Sequence, residues 1–326
     1  MFEIIKSGTN WDFVGKRKLW GAISVAAIAI TVILLFTKGL NYGIDFTGGA
    51  EIQLKAPQSW DIGKLRGELE GADLKGLRVQ QIGDATESTF LVRAQGDEKS
   101  LNEVNKRVEE VLKAKSPTGF EFQRIGVVGP AAGESLRKSG FLSMLYALLC
   151  ILIYVTIRFD FRYSPGAVIA LLHDTMVTLG VLVIFGKTFD LQVLASLLAL
   201  IGYSNNDTII VYDRVRETLH DHPELSIEKA VNRAINETLG RTFLTSFCTL
   251  ITVLALYLFG GKVIEDFAFT FMVGIVVGTY SSIFIASSLV IWMTQYLEGK
   301  ELKNKMGGGA VSKKVYSPRP EPKLEA

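Results

Sequence analysis

Six long apolar runs set the rhythm of the chain, at Leu19–Thr37, Ser139–Ile157, Gly166–Phe185, Leu191–Tyr212, Thr242–Phe259 and Phe267–Trp292. Each is close to the roughly 20 residues that a helix needs to cross a bilayer. Lys16, Arg17 and Lys18 precede the first run. Its length and the lack of a small-residue cleavage site near Thr37–Asn41 predict a retained anchor, not a removed leader.

Between the first two runs the pattern changes. Glu51–Lys55 alternates with the period of a strand, and Ile62–Leu69 is amphipathic at helical spacing. Leu77–Ile82 and Thr89–Arg93 alternate again. Leu101, Val104, Val108, Val111 and Leu112 line one face of a second helix, and Phe120–Val128 reads as a last strand. The order β-α-β-β-α-β predicts a split, ferredoxin-like α+β domain with two helices on one face of a four-stranded sheet. The fold class is an α-helical polytopic membrane protein with this domain between helices 1 and 2.

The predicted organisation is an N-terminal tail (1–18), helix 1 (19–37), the α+β domain (38–138), a five-helix region (139–299) and a disordered basic tail (300–326). The tail contains Gly307, Gly308 and Gly309 and a repetition of Pro318, Pro320 and Pro322.

Composition narrows the possible chemistry. Of 326 residues 48% are hydrophobic, and 35 basic side chains nearly balance 33 acidic ones. A net charge of +2 excludes nucleic-acid binding driven by global basicity. Cys150 and Cys248 lie in apolar runs and His173, His220 and His222 are scattered, so neither a disulfide framework nor a metal site is expected. No nucleophile–base pair or phosphate loop can be assembled, so no enzyme is expected.

Basic residues set the predicted orientation. The N-terminal tail carries four, the second connection two, the fourth connection five and the C-terminal tail seven, whereas the opposite short loops carry one each, Lys187 and Lys262. The positive-inside rule places both termini in the cytoplasm and the 38–138 domain outside.

Polar residues inside the spans are costly and call for a role. The fourth span contains Tyr203-Ser204-Asn205-Asn206-Asp207-Thr208 within an apolar sequence. Asp207 is placed roughly 10 Å below the cytoplasmic surface, seven residues from Arg214. Arg241 opens the fifth span from that side, and its long side chain is expected to reach Asp207. A carboxyl held between a guanidinium and apolar surroundings can exchange a proton when the arginine moves; a static ion pair is the other reading.

His173 and Asp174 lie near mid-membrane and either join a proton path or satisfy neighbouring backbone. Gly274 and Gly278 form a GxxxG face suited to close helix packing. Asp45, with Gly43, Gly48 and Gly49, is either a structural junction or an ion-linked site just outside the first span.

The stretch Asn41-Tyr42-Gly43-Ile44-Asp45-Phe46-Thr47-Gly48-Gly49 resembles the signature after the first span of the SecD/SecF family, accessory subunits of the bacterial Sec translocase. Ile201–Glu217 resembles the fourth-span signature of the SecF members in particular. Leu172-His173-Asp174, Arg241–Ser246 and Val128-Gly129-Pro130 are similar to SecF positions as well. The resemblance covers about residues 10–300. Asn205 departs from it, since the family more often has an apolar residue there.

The resemblance implies a relative of the resistance-nodulation-division transporters in the bacterial inner membrane, paired with SecD. It further implies association with the SecYEG channel and YajC, and cooperation with the SecA motor. The proton motive force would promote late movement of an unfolded polypeptide, with the proton as coupling ion and no other cofactor. It also assigns proton conduction to the positions of Asp207 and Arg241. Competing expectations are a proton-driven exporter of lipids or small molecules, and an assembly scaffold without transport.

Overall fold

The computed structural model of the protein describes residues 9–57, 60–71, 74, 77–82, 88–94, 101–116, 119–261 and 264–307. Helix α1 (Arg17–Thr37) rises to a short strand β1 (Asn41–Tyr42) and a one-turn helix α2 (Ile44–Thr47). The α/β domain follows as β2 (Gly49–Lys55), α3 (Ile62–Glu70), β3 (Arg78–Ile82), β4 (Thr89–Ala94), α4 (Leu101–Lys115) and β5 (Glu121–Val128). The bundle comprises α5 (Pro130–Arg158), α6 (Ser164–Ile184), α7 (Leu191–Asp221), α8 (Ile227–Phe259) and α9 (Glu265–Ser281). A strand β6 (Thr188–Phe189) separates α6 from α7, and a π turn (Ser282–Ala286) carries α9 into α10 (Ser287–Gly307).

The sheet has the order β3-β4-β2-β5 with every neighbour antiparallel, as a split β-α-β arrangement requires. Alternation along the strands sorts its two faces. Ile52, Leu54, Phe90 and Val92 meet Leu65 and Leu69 of α3 and Val108 and Leu112 of α4 in one dry core. The opposite face carries Glu51, Gln53, Arg78, Gln80 and Arg93. It rests on the membrane end of the chain: Arg93 bonds Asn41 and Thr188, and Gln80 bonds Gly186. Asp61 begins α3 by accepting from the Lys64 amide, which satisfies one of the free donors at a helix start. Gly129-Pro130 gives α5 an extended residue followed by a proline with preset φ.

Among the described residues six helical segments are long and apolar enough to cross a membrane. In their most apolar windows α6 and α7 bury 56% of residues within the chain, against 11% for α1 and α5 and 17% for α8. The central helices are therefore α6 and α7 with α9, and the outer ones turn apolar sides outward. Gly274 and Gly278 bring α9 against α7: a Cβ at Gly274 would lie 2.6 Å from Leu200, and one at Gly278 would lie 2.9 Å from Ser204 Oγ. This is the close packing expected of that glycine pair.

Several helices outrun the apolar pattern. Helix α7 continues nine residues past Tyr212, and α8 begins at Ile227, well before Thr242. The sixth span runs through a π turn to Gly307, so helix occupies the start of the segment expected as a disordered tail; 308–326 lie outside the described residues. These extensions pack on each other at the face opposite the α/β domain. Arg214 bonds Glu237 there, and Ser226 caps α8. Part of the expected N-terminal tail is built into that face. The side chains of Asn232 and Asn236 bond the backbone of Trp11 and Phe13, and Arg17 pairs with Glu228 at 2.8 Å.

Candidate functional site

The polar run of the fourth span faces inward in two directions. Ser204 points toward α6 and α9, and Asp207, three residues on, points toward α8. The separation follows from helical geometry, where three residues advance about 300° around the axis and about 4.5 Å along it.

Around Asp174 the bonding is dense. Its Oδ2 accepts from Ser204 Oγ at 2.6 Å and from Ser281 Oγ at 2.8 Å, so one carboxylate joins α6, α7 and α9. His173 Nδ1 lies 3.0 Å from Asp174 Oδ1, and against an ionised carboxylate it is the donating nitrogen. Both side chains are buried, Asp174 at 1% exposure. The Tyr280 ring lies tilted beside His173, and its hydroxyl donates to the Trp20 carbonyl with Ser24 Oγ 2.8 Å away, which ties α1 to the same region.

Asp207 is also 1% exposed but thinly bonded. Its Oδ2 accepts from Ser246 Oγ at 3.3 Å, and Thr279 Oγ1 donates to that serine at 2.8 Å. Its Oδ1 has no partner among the described residues, nor have Asn205 Oδ1, Thr208 Oγ1 and Thr242 Oγ1 nearby in sequence on α7 and α8. Buried polar atoms usually carry a hydrogen bond, and an ionised oxygen without one costs several kcal/mol more than a protonated group does.

No direct ion pair joins Asp207 and Arg241 among the described residues, although the guanidinium lies near enough for its charge to act on the carboxyl. Arg241 lies fourteen residues inside α8, just before the apolar run of that helix begins, and its side chain is exposed. Ser246 meets the carboxylate instead. Arg241 is five residues earlier, hence about 140° around the helix from Ser246 and on another face. Asn206 is exposed on α7 as well, whereas Ser204, Asn205 and Thr208 are buried. Of the residues read from sequence, the fold gathers His173, Asp174 and Ser204 into one network and puts Asp207 in a second. Ser246, Thr279 and Ser281 were not foreseen. The only signal for them was the hydroxyl-rich stretch Thr279–Ser282 and the serine ending the Arg241–Ser246 motif.

The glycine signature forms a separate junction. Strands β1 and β6 pair in parallel, with Asn41 opposite Thr188 and Tyr42 opposite Phe189, and the Gly43 amide donates to the Phe189 carbonyl. Asp45 Oδ2 accepts from the Leu191 amide, and Asp190 Oδ1 accepts from the Val193 amide, so two carboxylates cap α7. Burial pushes the Asp190 carboxyl up to about 6, opposed by the Val193 bond and reinforced by Asp266, Asp45 and Glu51. Beside it Lys187 pairs with Glu265 and Asp266, each at 2.9 Å. Burial lowers the lysine's proton affinity, but the two carboxylates outweigh it and the net shift is upward.

Gly48 has φ 70° and ψ 162°, a region open in practice to glycine alone. A Cβ there would lie 2.7 Å from Pro130 Cα, and one on Gly49 would lie 2.7 Å from the Ala94 carbonyl. The glycine pair therefore lets the roots of β2 and α5 press together. At this junction Asp45 is engaged by the Leu191 amide.

Two family models match the chain: the GG motif of SecD/SecF over residues 33–56, and the C-terminal region of the SecD/SecF protein export membrane proteins over residues 107–296. Protein translocase subunit SecF of Calditerrivibrio nitroreducens is 46% identical over 88% of this chain and 95% of its own length. The chain belongs to the SecF family of protein translocase subunits. SecF of Pseudomonas aeruginosa is 42% identical over 89% of this chain and 93% of its own. A crystal structure of SecDF, a translocon-associated membrane protein from Thermus thermophilus, matches 88% of this chain with TM-score 0.80 at 35% identity. SecDF in a super-membrane-facing form matches 93% with TM-score 0.68. The chain spans about two fifths of those SecDF chains. As a SecF-family member it is a multi-pass membrane subunit of the protein translocation machinery, and its relatives are named as translocase subunits.

Proposed function

We propose that this SecF-family chain converts the proton motive force into movement of its α/β domain and so promotes late translocation of an unfolded polypeptide. It acts in the inner membrane of a bacterium, with both termini cytoplasmic and residues 38–138 periplasmic. SecD completes the proton path and supplies the facing half. The pair works beside the SecYEG channel with YajC, after SecA has driven ATP-dependent entry. The proton is the coupling ion.

The observation that carries this reading is the bonding state of Asp207, a buried carboxyl with one oxygen unpartnered on a central helix. Protonation relieves the cost of the unmet charge, and loss of the proton restores it, so the two states favour different packings of α7 on α8. The charge of Arg241 on α8 acts on Asp207 without a direct ion pair, so a shift of α8 against α7 changes how strongly the carboxylate is favoured. Asp174 and His173 hold the neighbouring helices together and set the background against which Asp207 titrates. A proton crossing about 100 mV gains about 2.3 kcal/mol, which tilts a two-state equilibrium by about fiftyfold.

Motion reaches the domain through β6. Helices α6 and α7 carry the two acids, and the turn joining them pairs with β1 at the root of the domain. The test is translocation of a secretory protein into vesicles holding SecYEG, SecD and this chain, with a proton gradient imposed after ATP is exhausted. Asp207→Asn is expected to abolish the gradient-dependent component at equal complex abundance. Full stimulation in that variant would overturn the proposal.

A further inference from the structure

Where α1 and α6 end beneath the α/β domain, the structure leaves a cleft of about 370 Å³. Its floor is apolar, from Leu40, Val183 and Ile184, and Lys38, Arg78 and Lys187 stand around it. Lys187 is committed to Glu265 and Asp266. The side chains of Lys38 and Arg78 are exposed and make no ion pair or hydrogen bond among the described residues.

Arg78 is placed against its electrostatic interest. In the β3–β4 register it lies directly opposite Arg93, and like charges in that position destabilise a sheet. Arg93 has relief on its other side, where Glu51 accepts from its Nε at 2.7 Å, and Asn41 and Thr188 take its remaining donors. Arg78 has no such relief among the described residues. It lines both the large cleft and a smaller one of about 170 Å³, which Arg93 also lines. Two cations without an acidic partner among the described residues therefore converge where two membrane spans meet the surface. At the ends of the same two helices Phe36 is 88% exposed, Ile184 57% and Phe185 64%, so apolar side chains lie next in sequence to the cleft lining.

We infer that this cleft binds the phosphodiester headgroup of an anionic phospholipid from the leaflet on the domain's side. Arg78 grips the phosphate oxygens with its planar fork, Lys38 adds a second positive charge from the end of α1, and the acyl chains run along Phe36 and Ile184. Arg78 belongs to the domain and Lys38 to a membrane helix. A bound headgroup would therefore bridge the two and make the seating of the domain depend on lipid composition.

The test uses the full chain in phosphatidylcholine vesicles doped with spin-labelled phosphatidylglycerol, with the immobilised fraction as readout. Lys38→Gln/Arg78→Gln is expected to weaken phosphatidylglycerol association by about tenfold to thirtyfold, from two surface cations. Arg137→Gln/Lys138→Gln is expected to leave it unchanged, although it removes the same charge from exposed positions near the start of α5 outside the cleft. Equal loss in both variants would reduce the effect to diffuse attraction and overturn the assignment, as would no loss in the first. A third arm adds inorganic phosphate at millimolar concentration. Failure to displace the label supports a lipid site, and displacement marks a free-anion site and overturns it.

Discussion

Asp174 and Asp207 are equally buried, yet their surroundings give them different work. Asp174 is met by Ser204, Ser281 and His173, so its charge is paid for by three donors from three helices. Removing one such donor is expected to cost stability. Ser281→Ala should lower the unfolding free energy in micelles by about 1.5–3 kcal/mol, the range for a hydrogen bond to a charged group. Asp207→Asn removes an ionised oxygen that has no partner, and should leave unfolding unchanged or slightly raise its midpoint. Chemical denaturation of both variants checks the contrast: equal losses would mean that the two acids share one structural role. The sequence made both acids legible because a carboxyl inside an apolar run is costly. It hid Ser246 and Ser281, because hydroxyls cost little in a membrane helix and stand out in no pattern. Arg241 was legible as a charge within reach of Asp207; that Ser246 is the group bonded to the carboxylate was not, because only the helical turn of α8 decides which side chain faces α7.

At the scale of elements, the α/β domain and the six spans were readable because each repeats a period over many residues. Strands β1 and β6 were not, since two residues carry no period, and they exist only through their pairing with each other. The helix ends were equally opaque, because α7 and α8 continue beyond the apolar runs on contacts with each other and with the N-terminal segment. The glycines between these elements carry sharp expectations. Gly48→Ala places a side chain in a glycine-only conformation and against Pro130, and is expected to loosen the junction by about 2 kcal/mol or more. Faster proteolysis of the segment around residue 48 would report it; wild-type resistance would show that the root of β2 can shift without cost.

Asp190 gives the same junction a pH dependence. Its folded carboxyl sits at about 6 against 3.8 for the free group, so the folded state holds the proton more tightly. The stability this contributes is complete below about pH 4 and is lost as pH rises through about 6, by no more than about 3 kcal/mol. Asp190→Asn keeps a capping oxygen and removes the charge, so unfolding measured from pH 4 to 7 should become flatter. A wild-type slope in that variant would assign the dependence to another group.

At the scale of the whole molecule, the two halves meet on the polar face of the sheet, not on its apolar core. Arg93, Gln80 and Asn41 make part of that contact through hydrogen bonds, beside the apolar packing of Ile44 and Phe46 at the root of the domain. Polar contacts of this kind can be exchanged for others at little net cost, whereas opening an apolar core cannot. The domain core of Leu65, Phe90 and Leu112 stays closed whatever the junction does. This division suits a domain that moves as a unit.

The parallel ladder of β1 and β6 has a mechanical consequence. Two acid-bearing helices and one domain root share a hinge pin only two residues long, and the turn that carries it spans just residues 185–190. Such a linkage transmits displacement only while it has no slack. Two glycines inserted after Gly186 should leave the bundle and the domain folded, by circular dichroism and unfolding midpoint. They should also uncouple one from the other, abolishing gradient-driven translocation as a clutch disengages a shaft.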